Sequence, residues 1–237
     1  MNELERRIKF KTYINGFDEN IDGGIPQGHI VLVAGETGTM KSSIAYYILF
    51  MNAKHEGVNG LYISLEQSRR SLLRQMEKMG LRGETKGYVE ILDMGELRRK
   101  AEGPNWFDTF RFAINEIKRR MNYELLVIDS IGALEIISNF TRPREDMFRL
   151  FEWLRSLDIT TLIISEMPVG HFTCYGPHDA DFLADGIIHL RMTEERESDV
   201  LRKIRCVKMR EADHATGYFL LLKKGDQFTV TRAIIDF

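Results

Sequence analysis

Nine residues, Gly35-Glu36-Thr37-Gly38-Thr39-Met40-Lys41-Ser42-Ser43, constrain this chain more than any other stretch. They follow the phosphate-cradling pattern Gly-x-x-x-x-Gly-Lys-[Ser/Thr], except that Met40 stands where the second glycine belongs. Residues 28–34 form a short apolar run, and 42–53 are rich in Ile, Ala, Tyr, Leu, Phe and Met. Strand, tight loop and helix are therefore expected in that order. In such a loop the backbone N–H groups and the helix N-terminus face phosphates, Lys41 reaches the β/γ oxygens, and the Ser42 hydroxyl ligates Mg²⁺. Glycine is required at position 40 only where the backbone is left-handed or lies too near a phosphate for a Cβ. In right-handed helical geometry, methionine is a good helix former that can point its side chain away. The expectation is ATP held by residues 35–43 with Mg²⁺. The competing expectation is an ordinary glycine-rich turn, or a loop that has lost its nucleotide.

At 237 residues, 43% hydrophobic and 29% charged, the chain is long enough for one large α/β domain, expected to span 1–237. A net charge of −2 gives no bulk attraction to nucleic acid or anionic membrane. Cys174 and Cys206 lie in no metal-ligand or redox spacing, as expected of free thiols in a reducing cytosol. The start is charged, and the longest apolar stretch, 44–51, is too short to span a bilayer. A cytoplasmic protein is expected.

Apolar runs at 60–65, 89–92, 125–128 and 160–164 alternate with helical patterns at 68–79, 107–121 and 145–157. That alternation predicts a mostly parallel sheet with helices on both faces. On 68–79, Leu72, Leu73 and Met76 fall at helical spacing; on 145–157, Met147, Phe148, Phe151 and Leu154 form the apolar side. The tail changes character. Runs at 186–192, 200–209, 217–222 and 228–231 read as antiparallel strands joined by turns.

Ligands of such sheets sit beyond the carboxyl ends of the strands, so polar residues that end apolar runs are the ones to inspect. Asp129 follows Leu125-Leu126-Val127-Ile128 and is placed to hold the Mg²⁺ shell; alone it reads equally well as a turn-capping aspartate. Glu66 ends 61–65 and is the expected base that orients and deprotonates the attacking water, against the alternative of an acid in the first turn of a helix. Ser165 ends 161–164 and is the expected sensor of the γ-phosphate.

Ile14-x-Gly16-Phe17-Asp18, Gly23-Gly24-Ile25-Pro26-x-Gly28, the loop, Glu66, Asp129-Ser130, Ala184-Asp185-Gly186-Ile187-Ile188 and Lys208-Met209-Arg210-x-x-x-His214 together cover nearly the whole chain. This set resembles the KaiC branch of the RecA-type P-loop ATPases, in a single-domain archaeal form. The resemblance implies a RecA-like core and an ATP site completed by a neighbouring subunit of a homo-oligomer, a hexameric ring. It implies that Lys208 and Arg210 reach in trans toward the γ-phosphate while His214 approaches the sugar. On a regular strand Lys208 and Arg210 share one face with Ile204 and Cys206, and a paired cationic tip suits an arginine finger. Without the resemblance, such a basic pair reads as a solvated strand end. Met40, and Gln67 where a second glutamate is usual, depart from the family pattern; a single ATPase domain departs from the clock protein's tandem pair.

Two other readings stay open. A RadA-like recombination factor binding single-stranded DNA would need basic or aromatic loops, but 168–176 offers two aromatics and His171 with no lysine or arginine. Arg69-Arg70, Arg98-Arg99-Lys100 and Lys118-Arg119-Arg120 read as solvated helix faces and ends; Arg142-Pro143-Arg144 is the stronger candidate for a nucleic-acid contact. A nucleotide-gated regulator would bind ATP, assemble and scarcely hydrolyse it. Either ATP reading leaves room for an unidentified protein partner.

Overall fold

A computed structural model describes residues 8–95, 106–169, 174–196 and 199–232. The short pair β1 (Lys9–Phe10) and β2 (Ile25–Pro26) lies apart from the main sheet. That sheet comprises β3 (Ile30–Gly35), β4 (Gly60–Ser64), β5 (Val89–Asp93), β6 (Leu125–Asp129), β7 (Thr160–Glu166), β8 (Gly186–Arg196), β9 (Asp199–Met209), β10 (Phe219–Lys224) and β11 (Gln227–Arg232). Its order is β11-β10-β9-β8-β3-β7-β6-β4-β5. From β8 to β5 the neighbours are parallel, and β9, β10 and β11 continue the sheet antiparallel. The mostly parallel sheet with an antiparallel tail is as expected. β3 and β4 are buried at every residue, which is why their sequences are unbroken apolar runs rather than alternating ones.

Helices cover both faces. On one lie α1 (Lys41–Glu56) and α2 (Arg69–Lys78); on the other lie α3 (Trp106–Met121), α4 (Ile131–Ser138) and α5 (Pro143–Ser156), with the one-turn α6 (Ala180–Leu183). α1 is apolar all round because it is enclosed between the sheet and the N-terminal segment with the β10–β11 hairpin. Tyr47 packs edge-on against Phe228 with centroids 4.9 Å apart, and its hydroxyl donates to Tyr13 O at 2.9 Å. α5 starts at Pro143, with Glu145 and Asp146 in its first turn, where the proline ring and the helix dipole both favour them.

Two apolar faces are narrower than the sequence suggests. Leu73 is 40% and Phe148 49% exposed, because each lies one residue, about 100°, away from a buried stripe: Leu72 and Met76 on α2, Met147, Leu150, Phe151 and Leu154 on α5. A third correction concerns β9. Ile187 pairs with Lys208 and Ile188 with Cys206, so Val207 is an extra residue in a bulge. Ile204, Cys206 and Met209 therefore share the α1 face, and Lys208 does not lie with Ile204 and Cys206 as regular alternation requires.

Candidate functional site

The loop emerges from β3 at the carboxyl end of the parallel strands. A Cβ at Gly35 would lie 2.3 Å from Leu190 O on β8, so only glycine lets the chain leave the strand here. Thr39 Oγ1 and Lys41 Nζ both donate to Glu36 O, at 2.7 and 2.8 Å, and thereby close the loop on itself. Met40 has φ 73° and ψ 26°. The right-handed geometry under which methionine would be favourable is not what the structure contains; position 40 is left-handed, the conformation for which the pattern specifies glycine. The Met40 side chain packs partly against the α1-face core and lines the cavity above the loop.

That cavity is about 560 Å³, with Gly38, Lys41, Ser42, Glu66, Asp129 and Glu166 in its wall. It runs into a groove of about 1090 Å³ along α2, sharing Gln67, Gln75 and Met79. Strand ends set the acids. Leu65 N donates to Asp129 O at 2.9 Å, so Glu66 leaves β4 beside β6, and Ser130 Oγ lies 3.2 Å from Glu66 Oε1. Tyr62 Oη donates to Asp129 Oδ2 at 2.5 Å, and Ser42 also hydrogen-bonds that carboxyl.

Burial lowers the Lys41 pKa, while Glu166, Asp129, Glu66 and Glu36 oppose that shift. Burial raises Asp129 and Glu166, and their repulsion from Glu66 adds to it. One lysine thus stands among several acids with unfavourable solvation, a setting in which a hard cation would offset the carboxylates and Lys41 would offer positive charge to a phosphate. The oxygen donors Ser42 and Asp129 fit Mg²⁺, which takes few protein ligands and fills its shell with phosphate and water. No cluster of three or more metal-binding side chains occurs among the described residues.

Gln67 Nε2 is turned back onto α2, 2.8 Å from Ser71 Oγ. Ser165 is not where the sequence suggests. Its hydroxyl lies on the face of the sheet away from α1, beneath Gly176, because alternation on β7 sends residue 165 to one side and 166 to the other. Glu166 faces the loop instead. Sequence reasoning also missed Arg202, whose Nε is 3.4 Å from Gly38 O, and Met192, its partner across the β8–β9 hairpin. Only the pairing of β8 with β3 brings these two to the loop.

Lys208 and Arg210 lie far from this chain's own loop. Lys208 Nζ donates to Ala184 O at 2.6 Å and Asp181 O at 3.1 Å; Arg210 Nη1 meets Asp185 Oδ1 at 2.6 Å. Asp185 is bonded to Ile30, at the start of β3, five residues before Gly35, so the pair lies about 17 Å along the strand from the loop. His214 belongs to the same end, with Nε2 3.4 Å from Val207 O.

The family description "ATPase: KaiC" matches residues 10–225. The chain belongs to the KaiC family of ATPases. It is 29% identical to circadian clock protein KaiC3 of Synechocystis over 92% of its own length and 45% of that protein's, so it spans about half the length of that clock relative. It is 32% identical to a UPF0273 protein of Saccharolobus solfataricus, covering 86% of this chain and 75% of the relative. A crystal structure of a KaiC-like protein from Pyrococcus horikoshii superposes with a TM-score of 0.79 at 28% identity, covering 95% of this chain and 99% of that one. The KaiC assignment places this chain in a nucleotide-binding family with a RecA-type fold.

The basic clusters read as solvated helix faces are mostly exposed where described, and both arginines of the candidate nucleic-acid contact are paired. Arg69, Arg70, Arg119 and Arg120 are exposed, Arg142 pairs with Glu145 at 2.8 Å, and Arg144 pairs with Asp179 at 2.7 Å. Arg98-Arg99-Lys100 and His171 lie outside the described residues. Among the described residues no helix is long and apolar enough to cross a membrane.

Proposed function

We propose that this protein binds ATP with Mg²⁺ and hydrolyses it slowly, at sites shared between subunits of a homo-oligomeric ring. Lys41 and the loop N–H groups hold the phosphates, Ser42 and Asp129 orient the metal, and Glu66 prepares the water. Bound Mg²⁺ supplies charge neutralisation at the transferring phosphoryl group. Lys208 and Arg210 act on the neighbour's γ-phosphate, with His214 beside its sugar. The observation that carries this reading is polarity: an acid-rich loop cavity at one end of the sheet and a cation pair at the other. Head-to-tail association brings the two together, and repetition of that contact closes a ring.

A second reading, a nucleotide-gated assembly with background hydrolysis, is favoured by left-handed Met40 and by Gln67 turned away onto α2. Phosphate release measured alongside oligomer mass separates the two. ATP-dependent assembly with turnover supports the ATPase, and assembly with background turnover supports the gate. Absence of nucleotide binding refutes both.

A further inference from the structure

The sheet face turned away from α1 carries a row of polar residues that the nucleotide site does not use. Ser165 and His189 pair with Ala34 from either side, Arg205 pairs with His189, and Tyr218 stands immediately before β10, the strand that pairs with β9. The guanidinium carbons of Arg191 and Arg205 lie 4.1 and 4.6 Å from the Tyr218 ring centroid. Arg205 Nη2 donates to Tyr175 Oη at 2.6 Å, and Tyr218 Oη meets His189 Nδ1 at 2.8 Å. Arg191 can only donate to the Tyr218 oxygen, which leaves the phenol proton for His189 Nδ1 and the imidazole proton on Nε2.

Three N–H donors then lack an acceptor: His189 Nε2, Arg191 Nε and Arg205 Nε are buried and unbonded, as is Ser165 Oγ nearby. His189 is 1% exposed. Among the described residues no carboxylate pairs with either arginine. Two like charges gathered on one ring, with unused donors and no counter-charge among the described residues, suit an anion. Arginine forks match phosphate oxygens in shape as well as charge.

We propose that the Arg191–Tyr218–Arg205 cluster is a second anion site, separate from the loop, that binds a phosphate group, either free or within a phosphodiester chain lying along the half-exposed strip. The strip supplies the cations that segment 168–176 lacks, since Tyr175 of that segment is bonded to Arg205. This holds whether or not the chain hydrolyses ATP.

The test uses the full chain carrying Lys41→Ala, which removes the loop lysine, with inorganic phosphate and a short fluorescent oligothymidylate as probes. At least one probe should bind, and Arg205→Gln or Arg191→Gln should weaken it by about tenfold. Phosphate binding alone assigns a free ion. Oligothymidylate binding that falls steeply with salt assigns the chain. In the chain with both arginines intact, the His189 Nε2 resonance should shift on adding the bound probe, a readout that needs no arginine variant to fold. Failure of both probes to bind, an unmoved His189 resonance, or unchanged affinity in variants that melt with the parent would overturn the proposal.

Discussion

Arg210 Nη1 lies 2.6 Å from Asp185 Oδ1, and Asp185 Oδ2 accepts from Ile30 N at 3.1 Å. One aspartate thus fastens Arg210, the proposed finger, to the first residue of the strand that leads to the loop. The arginine side chain is half-exposed, so its ion pair contributes little to folding.

Arg210→Ala should therefore cost under about 1 kcal/mol of stability while lowering ATP turnover by about 100-fold or more. Asp185→Ala should cost about 2 kcal/mol, because it also strands the buried Ile30 N–H. Urea unfolding paired with phosphate release distinguishes the two variants.

Met40→Gly relieves a left-handed methionine, a gain of about 1 kcal/mol, but loosens the unfolded chain and removes a partly buried side chain. Stability should stay within about 1 kcal/mol of the parent. Nucleotide affinity should rise, because the side chain leaves the cavity wall. Calorimetric titration with ATP reads this directly.

The raised Asp129 and Glu166 pKa values make the folded chain bind protons more tightly than the unfolded chain. Their contribution is present at low pH and is lost as pH rises from the ordinary carboxyl range through the raised folded values. Asp129→Asn should consequently raise the melting temperature of the nucleotide-free chain at neutral pH and abolish Mg²⁺-dependent ATP binding. Thermal melts with and without Mg·ATP test both halves.

His189 carries the opposite sign. Burial, then Arg205 and Arg191, lower its pKa to about 4, so the unfolded state takes up the proton first as pH falls below 6.5. Stability should drop between pH 6.5 and 4 by up to about 3 kcal/mol, and His189→Gln should flatten that part of the profile.

The parallel core was legible because β3, β4, β6 and β7 are almost wholly buried and read as continuous apolar runs. Gly35 and Lys41 followed from the loop pattern, and Glu66 and Asp129 from the rule that residues ending such runs line the cavity. Ser165 did not, because a strand end says nothing about which face its last residues take, and one step of alternation exchanges Ser165 for Glu166. The bulge at Val207 defeated the face assignment of Lys208 in the same way. Arg202 and the Arg191–Tyr218–Arg205 cluster were invisible because they depend on strand pairing between residues distant in sequence. Met40 looked tolerable only while its backbone geometry was free to be right-handed.

The central claim is that one subunit's loop works with the next subunit's Lys208 and Arg210. Lys41→Ala and Arg210→Ala chains, each inactive alone, should be mixed in equal amounts and the formation of mixed oligomers verified by mass. About one quarter of head-to-tail interfaces then join an intact loop to an intact finger, so phosphate release should recover toward about a quarter of the parent rate. Turnover that stays at the level of the separate variants in verified mixed oligomers would contradict the shared site.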